Sequence, residues 1–101
     1  MRTILSTVAL AALLSTAAFG ADAAAGKAVY DKSCKGCHGP DGTPSAGMAK
    51  AMGIQDMKST AYSDDAIKTA VTSGKGKMKP IAAVTGASLD NVVAYVKTLK
   101  Q

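Results

Sequence analysis

The chain has 101 residues, a formal net charge of +5, no Trp and one Phe. That length holds one domain, and the basic balance favours acidic partners. Nucleic acid is excluded as the partner, because no lysine cluster is interleaved with stacking aromatics.

Residues 1–23 are expected to be removed. Met1 and Arg2 lead into an apolar run from Ile4 to Phe19, and Gly20 and alanines follow. This is the three-part pattern of a secretory signal peptide, with small residues placed for cleavage after Gly20 or after Ala23. The run falls short of the ~20 apolar residues that span a bilayer, so a retained anchor is disfavoured. The expected location is therefore the periplasm, with no membrane span after cleavage.

Residues 24–101 form the expected domain. Val29, Tyr30, Cys34 and Cys37 follow helical spacing, which predicts a first helix over about 25–35 with the cysteines at or just past its end. Gly39, Pro40, Asp41, Gly42 and Pro44 make a turn-rich loop. A short helix over about 45–52 stops at Gly53. Ser63 is a predicted N-cap with Asp64 and Asp65 in the first turn, ahead of a helix that Gly74 ends. Ser88 is predicted to cap the last helix, whose stripe is Leu89, Val92, Val93, Val96 and Leu99. Between these two helices lies "SGKGKMKPIAAVTGA", too rich in Gly, Lys and Pro for a regular element. No alternation of period two occurs, so the fold class is all-α with about four short helices.

The only two cysteines and the only histidine fall within "CKGCH", residues 34–38. Zinc fails on arithmetic, since a closed site takes four ligands and this chain offers three. A thioredoxin-like disulfide requires a βαβ context that is absent. In Cys-x-x-Cys-His, Cys34 and Cys37 add to the two vinyl groups of a haem and His38 binds its iron, so one covalent haem c is the predicted cofactor. A domain this small, without Trp or Phe, also gains the core it lacks from a large apolar group.

With Gly26 and Tyr30 before the motif, "CHGPDG" after it, "GKGKM" in the late loop and "VVAYVKTL" near the end, the chain resembles the small soluble class I cytochromes c. The resemblance covers nearly the whole predicted domain. It implies the cytochrome c fold, with helices wrapped around one haem and the first helix crossing the last. One departure is that Met78 is followed by Lys79 before Pro80, where many members have Pro directly.

A second histidine ligand within the chain is impossible, so the other iron face falls to Met, Lys, water or nothing. A thioether favours reduced iron and raises the potential. Met48, Met52 and Met57 are read as packing residues. Met78 stands in a Gly-rich loop stiffened by Pro80, and it is the expected second axial ligand by spacing and by resemblance. The other nitrogen of His38 is expected to donate to a loop carbonyl, that of Pro44 in preference to Pro40.

Lys35, Lys75, Lys77 and Lys79 are expected to collar one haem edge, as a solvated face or as a docking surface for acidic redox partners. The expected function is a monomeric one-electron carrier and not an enzyme. The alternative, a haem enzyme or gas sensor with an open sixth position, needs polar distal groups, and residues 24–101 hold no Arg and no second His.

Overall fold

The structure is a computed structural model that describes residues 21–101, so the predicted signal peptide lies outside the described residues apart from its last three positions. Five helices and no strand occur among the described residues: α1 (Ala23–Ser33), α2 (Lys35–His38), α3 (Ala46–Met52), α4 (Asp64–Ser73) and α5 (Gly86–Thr98). The all-α class holds, and the helix beyond the expected four is the single turn that carries the motif.

Local signals explain most boundaries. The Asp22 carboxylate accepts from the backbone N–H of Ala24 and Ala25 and so starts α1. Ser45 caps α3 by accepting from Met48 N–H, and Gly53 ends that helix in the left-handed region. Ser63 caps α4 through Ala66 N–H, with Asp64 and Asp65 in the first turn as predicted.

The Ser88 cap is not observed. Buried Val84 and its 3.1 Å bond to the carbonyl of Ile81 fix the preceding turn. The chain therefore enters α5 straight after Thr85, and Ser88 lies inside the first turn.

The principal packing is α1 against α5, with α4 also lying on α5. The core consists of Tyr30, Cys34, Met57, Ile67, Val71, Val84, Val92, Val93 and Val96. Three of the five predicted stripe residues of α5, its valines, are in that core, and Leu89 and Leu99 pack at its edge. Tyr30 and Tyr95 face each other at the crossing with ring centroids 5.2 Å apart and planes tilted by 58°.

Gly26 sits where the two helices touch. A Cβ added there would lie 1.9 Å from the carbonyl oxygen of Asn91 and 2.5 Å from its carbon. Those are backbone atoms of α5 and cannot rotate away, so glycine is required by proximity. The side chain of the same Asn91 accepts the backbone N–H of Asp22 at 2.8 Å and ties the start of α1 to α5.

Gly26→Ala is expected to push the crossing apart and to destabilise the fold by roughly 3 kcal/mol or more, beyond ordinary overpacking. Thermal unfolding of the variant beside the parent checks this, and an unchanged midpoint would sink the close-contact account.

Candidate functional site

The motif is built on the end of α1. Cys34 N–H donates to the carbonyl of Tyr30 at 2.8 Å, and the chain then re-enters helix for the one turn of α2. His38 N–H donates back to the carbonyl of Cys34 at 3.0 Å, so both cysteines and the histidine share one turn. Cys34 is buried and Cys37 exposed, and neither is in a disulfide. Burial pushes the Cys34 thiol up to about 11, disfavouring its thiolate form. Among the described residues no group of three or more His, Cys, Asp or Glu side chains is placed to hold a metal ion by itself.

His38 is half-buried, and burial lowers its imidazole below the ordinary range, favouring the neutral form that binds metals. Its Nδ1 is enclosed with no hydrogen-bond partner among the described residues. The expected bond to the Pro44 or Pro40 carbonyl is therefore not made. The loop carbonyl that reaches this turn is Thr43's, directed at Gly39, where an added Cβ would lie 2.0 Å from it. Gly39 has φ +84°, a region where glycine alone is comfortable, so the chain can reverse directly after His38.

Met78 is held in a tight reversal. Lys75 N–H donates to the Met78 carbonyl and Met78 N–H to the Lys75 carbonyl, each at 2.9 Å. At the entry, Gly74 with φ +80° lets the Met78 carbonyl pass close, since a Cβ there would lie 2.7 Å from that oxygen. At the exit, Ile81 N–H donates to the Val71 carbonyl of α4 at 2.8 Å. The Met78 side chain is half-buried against the core edge. Met57 is one of the core residues, in line with its packing role, and Met48 and Met52 are half-buried on α3.

Two contacts had no sequence signal. Lys77 Nζ donates to the carbonyl of Ala51 at 2.7 Å, linking the Met78 reversal to the end of α3 across 26 residues. The Tyr30 hydroxyl donates to the carbonyl of Gly39 at 2.6 Å. Lys35, Lys75 and Lys79 are exposed and form no ion pair among the described residues, whereas Lys27, Lys58, Lys68 and Lys97 do.

Two unpaired thiols, a neighbouring neutral imidazole and a thin valine core define a helical domain suited to a covalently tethered, ring-sized apolar group. The comparisons say which. A family model described as cytochrome c oxidase, cbb3-type, subunit III matches residues 21–96. The chain is 34% identical over 103 residues to cytochrome c6 of Gloeothece citriformis (strain PCC 7424), covering 95% of this chain and 93% of that protein. It is 33% identical over 89 residues to cytochrome c-554(547) of Halothiobacillus neapolitanus, covering 78% of this chain and 98% of that one. A solved c-type cytochrome, KustC0563, matches with a TM-score of 0.64 at 25% identity, over 75% of this chain and 98% of its own.

The chain belongs to the family of small monohaem class I cytochromes c. Its cofactor is covalently bound haem c with its iron, and its role is that of a c-type haem electron carrier. The residues present fit that group. Cys34 and Cys37 are free to form two thioethers, and with Nδ1 of His38 enclosed, Nε2 is the nitrogen left to meet an iron.

Proposed function

We propose that the protein is a diffusible periplasmic one-electron carrier in which His38 and Met78 occupy the two axial positions of the haem iron. The observation that carries this reading is the Met78 reversal. Its backbone is closed by two mutual hydrogen bonds and anchored to α4, while its thioether stays at the core edge. Bound haem supplies a one-electron couple between ferric and ferrous iron. The chain supplies the rest. Cys34 and Cys37 tether, His38 and Met78 close both faces to water and small ligands, and residues 24–101 offer no Arg or second His to activate a bound peroxide. Although the matching family description names an oxidase subunit, the chain spans nearly the whole length of the c6 and c-554(547) relatives, which supports the free carrier.

The reading includes export, with cleavage after Gly20 and not after Ala23. Asp22 supports this choice. It caps α1, accepts Gly26 N–H at its carbonyl and donates its own N–H to Asn91, all of which a chain starting at Ala24 loses. Loss of the cap alone costs about 1 kcal/mol. It also includes an acidic redox partner that docks on the face bearing Lys35, Lys75, Lys77 and Lys79, as a monomer meeting its partner.

Three measurements test these points. Absorption spectra of the periplasmically expressed protein should show c-type bands, a far-red ferric band lost in Met78→Ala, and no response of the reduced form to carbon monoxide. Ready carbon monoxide binding by the parent, or an unaltered spectrum in the variant, moves an open-site enzyme or sensor to the front. The intact mass of the purified holoprotein should correspond to a chain beginning at Ala21, and one beginning at Ala24 defeats the cap argument. Electron transfer to an acidic acceptor should slow as salt rises, and Lys75→Glu or Lys79→Glu should reduce the low-salt rate roughly tenfold. A salt-independent rate would contradict the docking face.

A further inference from the structure

Tyr30 grips both ends of the haem-binding turn. Its backbone carbonyl accepts the N–H of Cys34, the first residue of the motif, at 2.8 Å. Its hydroxyl donates to the carbonyl of Gly39, the residue directly after His38, at 2.6 Å. Tyr30 is 0% exposed, and its ring is packed on Tyr95 of α5, so the hydroxyl is delivered from a fully buried ring at the helix crossing. Burial raises the phenol well above its ordinary range, against an opposing backbone bond from Gly42, so the group stays a donor throughout the working pH range.

Besides the close approach of the Thr43 carbonyl, the restraints on Gly39 are hydrogen bonds at its backbone. Its N–H donates to the Lys35 carbonyl at 2.9 Å, and among the described residues its own carbonyl receives the phenol and the long 3.4 Å approach of Gly42 N–H. Its positive φ is a conformation that glycine holds without a side chain to enforce it. Among the described residues the enclosed Nδ1 of His38 has no hydrogen-bond partner. Polar restraint on the His38 backbone comes from either side of it, from Cys34 before and from the Gly39 peptide after.

We propose that the Tyr30 hydroxyl is a positioning group for the axial histidine, aiming His38 at the iron by holding the Gly39 carbonyl. The inference rests on the reading of His38 as an iron ligand. It assigns the phenol oxygen a role that ring packing with Tyr95 does not, since phenylalanine would pack equally well.

The test uses the holoprotein with Tyr30→Phe. The variant should keep both thioethers and its helical circular dichroism, because the ring and the α1–α5 crossing remain. It should shift or broaden the paramagnetically displaced His38 ring resonances of the ferric protein. It should also change the ratio of oxidised to reduced protein at a fixed applied potential several-fold. Site-specific 3-fluorotyrosine at position 30, a stronger donor of nearly the same shape, should move the resonances in the opposite direction, and it serves should the phenylalanine variant not fold. A variant with a lower melting temperature but unmoved His38 resonances and an unmoved ratio overturns the proposal and leaves Tyr30 a purely stabilising residue. Unmoved resonances in the fluorotyrosine protein overturn it equally. If the parent protein shows no displaced His38 resonances, it is the axial-ligand reading that fails.

Discussion

The contact between Gly26 and the backbone of Asn91 is the constraint on which the remaining architecture depends. It brings α1 within reach of α5 at a distance no side chain permits, and everything adjacent inherits the alignment. One turn further along α1, Tyr30 meets Tyr95 and is sealed from solvent. One turn beyond that comes Cys34, buried at the edge of the same core. The haem-binding residues are thus placed by a helix crossing and only secondarily by their own loop. A single turn of four residues could not define its orientation without such a base.

The segment that carries Met78 is assembled differently. Met78 sits on no long helix. It is fixed by a backbone reversal that two glycines make possible, by the Ile81 bond to α4, and by Lys77 reaching α3. Because α4 packs on α5, the methionine loop is registered against the same last helix that registers the motif. The ion pairs Lys68–Asp90 and Lys97–Asp64 connect α4 to α5 on the outside, where water screens them, and they add little to that registration.

Much of this was legible in the sequence because the signals were local. The five residues "CKGCH" identified the cofactor, the Ser63 cap and Gly53 stop marked α3 and α4, and the valine stripe identified the buried face of α5. What escaped depended on distance. Asp22 looked like the tail of a leader, and its role as a cap is evident only once Asn91, 69 residues away, is seen to hold it. Ser88 had the residue type and spacing of a cap, but buried Val84 started the helix earlier. A carbonyl from Pro44 was the natural partner for His38, yet the loop presents Thr43 instead, at Gly39. Side-chain bonds from Lys77 and Tyr30 to backbone carbonyls leave no trace in composition or periodicity.

The composition of the core shows what a covalent tether contributes to this domain. Apart from Tyr30 and Met57, the buried set is small: five valines, one isoleucine and one cysteine. Such a set removes too little apolar surface from water to carry a domain of this size on its own, so the fold relies on the ring it encloses. A reversibly bound ring would stabilise by an amount that rises with the logarithm of its free concentration and vanishes when that falls well below the dissociation constant. Thioethers, which the free Cys34 and Cys37 could form, would remove that dependence.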